Sequence, residues 1–383
     1  MPHTSKYVII GSGISGALTA FSLIKEGVPG AEIVIVEARE AASGASSRNA
    51  GHVRPDAFRG FSTYAAMHGP EQARKIIENE KMVLERVAAF VEENGTACDF
   101  NFTTTFDVCM TPEFSALEAR SFQEYHGSGG DVSHVRFHEG EQASKATGVQ
   151  GAVSAYEWPA ASIHPGKLAQ WLLAFDIEKG ARLWTHCPVK SVTPSKVSKW
   201  DVHTPRGTIA AHTVVHCTNA YAPFLLPQLQ GAITPNMAQA HSIVPNSALS
   251  GSNILPSTYS LRFSLHHFYS LIQRQGDGMI VVGASRTNPN LSQKTRDEMF
   301  GSDDGGHNGE IAQDALKTFN TVFPKYAKVG QKCQGEGFDR AWTGIIAKSS
   351  DAVPWIGKIT GLDGQWICAG FNGHGRSLFT CSP

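Results

Sequence analysis

Three glycines and one acid near the start of the chain have the types and spacing of a phosphate cradle. Gly11-Ser12-Gly13-Ile14-Ser15-Gly16 follows the apolar run Lys6-Tyr7-Val8-Ile9-Ile10. Residues 17–26 are apolar and helix-compatible, and a second apolar run, Ile33-Val34-Ile35-Val36, ends on Glu37. The pattern predicts strand, tight turn, helix, strand, acid. Gly11 lets the chain turn off the strand, Gly13 lets a pyrophosphate approach the backbone, and Gly16 lets the helix lie close to the sheet. The unpaired N–H groups and positive dipole end of that helix then face the phosphates. Glu37 stands about twenty residues beyond the last glycine, where a carboxylate accepts hydrogen bonds from a ribose. A glycine pattern alone would equally mark a turn in an ordinary α/β unit. The strand–helix–strand setting and the placed acid give it specificity.

A second polar stretch, Ala42-Ser43-Gly44-Ala45-Ser46-Ser47-Arg48-Asn49-Ala50-Gly51-His52, is too long for a simple turn. Small residues admit a ligand near the backbone, and Ser46, Ser47, Arg48 and Asn49 supply donors. The plainer reading is a surface loop. Two later strands also end in polar or glycine-rich tips. Residues 212–217 lead into Thr218-Asn219, and residues 365–369 lead into Gly370-Phe371-Asn372-Gly373-His374-Gly375.

These groups need a scaffold. Apolar residues at helical spacing predict helices over 71–93, 112–124 and 311–323, and another from His164-Pro165-Gly166. Alternation predicts strands over 98–110, 151–158, 237–244, 259–265 and 268–274, with 275–278 a turn and 279–282 its hairpin partner. Residues 183–186, 189–192 and 199–203 read as a meander, and 288–309 as a long exposed loop. The fold class is α/β (α+β). A Rossmann-like domain is built from residues 1–95, 160–223 and 336–383, and an antiparallel-sheet substrate domain from 96–159 and 224–335.

The length of 383 residues suits two domains, and 41% hydrophobic with 17% charged residues is ordinary for a globular protein. A net charge of −1 gives no electrostatic case for nucleic acid or an anionic membrane. No apolar run reaches the length of a membrane helix, and the first apolar stretch is needed as a strand, not as a secretory signal. Seven scattered cysteines without a CxxC pair argue against a disulfide framework or a metal site. They suit a reducing, intracellular and cytoplasmic location. The final residues match no prenylation or peroxisomal signal.

The combination resembles the flavin-dependent amine and amino-acid oxidases: D-amino-acid oxidase, glycine oxidase, sarcosine oxidase and γ-glutamylputrescine oxidase. Four separated segments carry the likeness: residues 11–37, residues 44–51, residues 342–357 and residues 370–375. The resemblance implies FAD. Gly11 to Gly16 would hold the pyrophosphate, and Glu37, with Ala38 and Arg39, the adenosine. The loop from Ser46 through Ala50, Gly51 and His52 would pass the pyrophosphate and ring. Val189 would meet adenine, and Thr218-Asn219 would close over the phosphates. Gly344 and Asp351 would lie on the flavin side, with Asp351 ordering its loop. Gly370, Asn372, Gly373, His374 and Gly375 would aim amides at the pyrimidine end, where reduction places negative charge. The implied reaction is hydride transfer from the C–H beside an amine nitrogen to flavin N5, imine hydrolysis, and reduction of oxygen to peroxide. A small-molecule amine or amino acid and O2 are the partners.

The chain departs from the family in three places. Where amino-acid oxidases commonly carry a carboxylate-clamping arginine, this chain has Ile346. Another arginine, with Arg54 and Arg262 the candidates, takes that role, or the substrate lacks the carboxylate; an amine or N-substituted substrate is favoured. Gly344 and Arg48 occupy positions used elsewhere for covalent flavin attachment, so FAD is expected to be non-covalent, with His52 close by. Residues 376–383 allow at most about two helical turns where relatives open a long helix, and flavin retention depends on that short end. Several residues keep two readings. Arg54 is an anion holder or a surface arginine, and His52 a flavin contact or a structural group. His267, Tyr269 and Trp342 line the pocket or pack the core. Cys109, Cys217 and Cys368 read as buried small hydrophobes. The alternatives in function are a same-fold dehydrogenase with another acceptor, a biosynthetic oxidase of a larger metabolite, and a catalytically silent flavin-binding protein.

Overall fold

The computed structural model describes residues 2–284 and 287–373. Ile33–Val36 is four β-branched residues, all buried. A strand apolar on both faces belongs inside a parallel sheet with layers on each side. The sheet around it runs Trp355–Lys358, Gln365–Ala369, Gly207–His216, Thr4–Ile10, Ile33–Val36, Arg182–Trp184. Ile10 sits beside both Val36 and His216, so Gly11, Glu37 and Cys217 leave the sheet at one edge. Of the three short strands expected as one meander, only Ser191–Pro194 and Trp200–Thr204 form it, on Gly207–His216. Arg182–Trp184 pairs parallel with Ile33–Val36, because the helix Pro165–Glu178 returns the chain to that strand's open edge.

The helix Ile14–Lys25 packs against Pro165–Glu178, with Phe21 4.7 Å from Phe175 and 5.3 Å from Phe90 between ring centroids. Two glycines make the turn before it possible. Gly11 has φ +106°, and a Cβ on Gly16 would sit 1.9 Å from the Gly11 carbonyl oxygen. A side chain at either position displaces backbone.

The second sheet has nine strands, in the order Gly337–Ser349, Ile233–Val244, Ile280–Ala284, Phe268–Gln273, Thr258–Arg262, Asn101–Cys109, Ser154–Ser162, His52–Val53, with Arg136–Glu139 also on Ser154–Ser162. It is antiparallel except for one parallel pair, Thr258–Arg262 with Asn101–Cys109. Sheet pairing divides the chain differently from the expected boundaries. Gly337–Ser349, expected with the nucleotide unit, pairs along its length with Ile233–Val244, and His52–Val53 pairs with Ser154–Ser162. Residues 288–309 are not a simple exposed loop. They contain the helix Gln293–Glu298, and Asn288 and Asp304 are buried because each is tied to a neighbouring segment. The helix Gly309–Val322 covers the sheet, capped by the Asn308 side chain, which accepts from the Glu310 and Ile311 amides. Cys109, Cys217 and Cys368 are buried, as expected. Among the described residues no helix is long and apolar enough to cross a membrane.

Candidate active site

The glycine turn, the second loop and the face of the second sheet enclose a cavity of 1110 Å³. Gly11, Gly13, Ile14 and Ser15 line its nucleotide end. The first-turn N–H groups of a helix have no intrahelical acceptor, and here they border the cavity. Glu37 lies beside them, oriented by its neighbours. The Ser12 amide and hydroxyl donate to Oε2 at 2.9 and 2.8 Å, and the Arg39 amide donates to Oε1 at 2.9 Å. The second loop forms a short helix, Ala45–Arg48, held to the turn by the Ile14 amide donating to Ser46 Oγ at 2.8 Å. A Cβ on Gly13 would come within 2.9 Å of that oxygen. Thr218 lines the same wall, and its buried Oγ1 has no hydrogen-bond partner among the described residues. An open cradle at the start of the helix, a poised carboxylate and an orphaned hydroxyl fit the phosphate–ribose part of FAD.

The late turn is held from behind. The Gly370 amide donates to Asn219 Oδ1 at 3.1 Å, the Asn372 amide to the Ala347 carbonyl at 2.9 Å, and the Ser349 amide to Asn372 Oδ1 at 3.0 Å. Asn219, Phe371, Asn372 and Gly373 reach the cavity. His374 and Gly375 lie outside the described residues.

A strap from the second sheet's side crosses the nucleotide end. Asp304 accepts from Arg39 Nη1 at 2.7 Å and pairs with Arg48 at 3.6 Å, while Arg48 Nη1 donates to the Asp304 and Thr343 carbonyls, each at 2.9 Å. Tyr221 donates its hydroxyl to the Ser302 carbonyl at 3.0 Å. Sequence reasoning read this strap as exposed loop; Asp303-Asp304 opposite two arginines was the available signal.

At the substrate end, three guanidiniums converge on one carboxylate. Asp107, fully buried on the Asn101–Cys109 strand, pairs with Arg54 at 2.5 Å, with Arg262 at 3.0 Å and with Arg59. Burial alone would raise its pKa, but the three arginines together hold the carboxyl below the usual range. Burial, then the Asp107 charge, pushes neighbouring Glu118 well above the carboxylate range. Burial and the Arg59 charge bring Arg262 down to about 10. Arg54, Arg59 and Arg262 all line the cavity. Arg54 stacks over Trp158 at 4.8 Å, and Arg262 over Phe268 at 4.3 Å. Arg54 is therefore no surface arginine.

Other expected residues divide by strand face. Phe268 and Ser270 line the cavity, so Tyr269 points the other way and bonds Asp314 and Asn288. His267 stacks on Phe263 at 4.9 Å, away from the cavity wall. Trp342 is also off the wall; its indole donates to the Arg48 carbonyl at 2.8 Å and braces the second loop. Asp351 accepts from the Trp355 indole at 2.9 Å, and its carbonyl bonds His68 at 2.8 Å, which orders that segment without reaching the cavity. His52 does line the cavity, with Nε2 3.2 Å from the Leu271 carbonyl. So do Ala38, Arg39, Ser46, Arg48, Asn49, Ala50, Gly51, Val189 and Gly344, whereas Ser12, Gly16, Ser47 and Gly370 support the wall from outside it. Ile346 is on the wall, opposite Asn236, whose buried Oδ1 has no partner among the described residues. Sequence reasoning missed Arg59, Asn236, Ser260 and Asp107.

A dinucleotide cradle on a discontinuous parallel sheet, facing a second sheet across one cavity, defines a flavoprotein oxidoreductase. The chain belongs to the FAD dependent oxidoreductase family, which matches residues 6–380. Mitochondrial dimethylglycine dehydrogenase of Mus musculus is 24% identical over 96% of this chain, and the match spans 40% of that longer protein. Glycine oxidase from Geobacillus kaustophilus superposes with a TM-score of 0.77 at 18% identity, covering 100% of this chain and 93% of its own. L-proline dehydrogenase from P. horikoshii gives 0.75 at 22% identity, covering 99% and 91%.

Proposed function

We propose that this chain is an FAD-dependent oxidase of a small amine or amino acid, with non-covalent FAD and oxygen as electron acceptor. The observation that carries the reading is the single cavity joining the nucleotide cradle to a substrate wall of buried polar groups. When bound, FAD supplies the acceptor for hydride from the C–H beside nitrogen. Gly11 to Ser15 and Glu37 hold the nucleotide end, and the Asp304 strap keeps Arg39 and Arg48 over it. Asn219, Phe371, Asn372 and Gly373 border the other end. Asn236 Oδ1 accepts an N–H of the substrate amine and so orients the carbon that is oxidised. No strong base is needed if the amine arrives neutral.

The visible spectrum of purified protein, before and after acid precipitation, tests the cofactor. Flavin absorbance moving to the supernatant is expected, and absorbance staying in the pellet refutes non-covalent binding. Peroxide release in air, on an amine that also bleaches the flavin anaerobically, is the expected activity. The dehydrogenase names borne by two relatives favour a second reading, in which another acceptor replaces oxygen. Anaerobic bleaching without peroxide in air would select it.

A further inference from the structure

The strap that crosses the nucleotide end has two feet and a crown, and they are held in different ways. Both feet stand on the strand Ile233–Val244. The Met237 amide donates to the Met299 carbonyl at 2.9 Å. Asn308 is gripped twice by Gln239: its amide donates to Oε1 at 2.7 Å, and its carbonyl accepts from Nε2 at 2.9 Å. Gln239 is buried, and its Nε2 also donates to His241 Nε2 at 2.9 Å, which fixes this foot in the sheet.

The crown is residues 302–307. Among the described residues no backbone–backbone hydrogen bond ties it to the rest of the chain. Side chains hold it instead. Asp304 sits between Arg39 and Arg48, and Tyr221 donates to the Ser302 carbonyl. Thr343 has one hydroxyl proton to give, to the Asp304 carbonyl at 3.1 Å or the Gly306 carbonyl at 2.7 Å. Asp304 is 9% exposed, whereas its neighbours in the crown are all exposed. One buried acid between two arginines, in an otherwise exposed segment, has the form of a latch.

The latch lies at the rim of the cavity. Asp304, Arg39 and Arg48 line the nucleotide end, and so do Tyr221 and Phe224. Phe224 is 75% exposed although it lines the cavity, so it marks where the cavity meets solvent. Tyr221, three residues earlier, joins that rim to the crown. The crown thus runs from the second sheet to the rim and the second loop, across the nucleotide end.

We propose that residues 302–307 are a gate for FAD. The feet stay on the sheet, the crown lifts when Asp304 leaves Arg39 and Arg48, and the cofactor enters and leaves through the opened crown. The inference rests on the non-covalent FAD of the proposed function and on nothing about the substrate. Gly301 on one side of the latch and Gly305-Gly306 on the other give the backbone freedom for the movement. Segments that open over ligands have few buried contacts, and Asp304 is the one buried residue of the crown.

The test locks the crown. Tyr221→Cys and Ser302→Cys are introduced together, with Cys333→Ser and Cys381→Ser, and the new pair is bridged by a short bis-methanethiosulfonate that a reducing agent removes. Flavin fluorescence follows release from diluted holoprotein and uptake by flavin-stripped protein. Both are expected to stop with the bridge in place and to resume when it is cut. Equal rates with the bridge closed and cut overturn the gate. The bridge is removable, so each sample is its own control for folding. In the unbridged chain, Asp304→Ala should speed release roughly a hundredfold and uptake about tenfold, within the worth of hydrogen bonds between charged partners. A strap that only steadies the arginines would leave uptake unchanged or slower, and that result also overturns the gate. Acid precipitation separates the two readings. Flavin in the pellet fails non-covalent binding and the gate with it; flavin in the supernatant, with exchange indifferent to the bridge, fails the gate alone.

Discussion

Replacing Asp107 with Asn tests the substrate wall at its centre. The side chain keeps its shape but loses its charge, so three buried guanidiniums face one another with no counter-ion between them. Breaking a buried ion pair by removing one partner costs about 3–5 kcal/mol. For a chain of 383 residues the unfolding entropy is about 0.8 kcal/mol/K, so Tm should fall by roughly 4–6 °C. The assay is thermal unfolding of wild type and variant by circular dichroism at pH 7. The arginines hold the Asp107 carboxyl below its unfolded value, so its stabilisation is fully present above the unfolded carboxylate pKa and is lost as pH falls through the folded one. The gap between the proteins should therefore persist from about pH 5 upward and close only in stronger acid. A variant melting within about 1 °C of wild type, or a gap that widens in acid, would refute the charge accounting.

Asp304→Ala removes the ion pairs to Arg39 and Arg48 that hold the strap over the nucleotide end. Loss of charge-assisted bonds of this kind should raise the FAD dissociation constant roughly tenfold; an unchanged constant in a fluorescence titration would deny the strap a role in retention. Asp176 is fully buried on the Pro165–Glu178 helix, neither oxygen has a partner among the described residues, and burial pushes its carboxyl up to about 8. Such a raised group favours the fold below the unfolded carboxylate pKa and loses that contribution as pH rises toward 8. Asp176→Asn should flatten the dependence of Tm on pH across that window and melt higher than wild type at its alkaline end. A wild-type slope in the variant would sink this assignment.

The nucleotide half was legible because its reasons are local. Gly11, Gly13, Gly16 and Glu37 sit within one strand–turn–helix–strand unit, where each residue type answers a steric or charge requirement a few positions away. Faces were less legible. Alternation along Phe268–Gln273 separates Phe268 and Ser270 from Tyr269, but period two does not say which set faces a ligand. Of the two readings kept for Tyr269, pocket lining and packing, its face of the strand supports packing. The arginine wall was half visible. Arg54 and Arg262 were singled out, but Arg59 has no local signature, and the partner that gathers them lies elsewhere in the chain. Asp107 itself was the missed signal, since a lone acid inside Thr-Phe-Asp-Val-Cys on a buried strand requires cationic partners. Strand 337–349 was misplaced for a related reason. Its tip, Ser349, is tied to the late turn, while its length pairs with a strand about a hundred residues earlier, and pairing at such distance leaves no mark in either segment.

The parallel sheet also sets a timetable for biosynthesis. Its strands come from residues 4–10, 33–36, 182–184, 207–216 and 365–369, with 355–358 at the edge. The first βαβ unit leaves the ribosome early, yet the strand that flanks Gly207–His216 on its far side emerges only as translation nears residue 369. Until then the apolar edge of that strand and the floor beneath Asn219 are bare. Long-range pairing of this kind is slow and leaves strand edges open to aggregation. The far edge of Gly207–His216 is therefore paired only after residues 365–369 have been made.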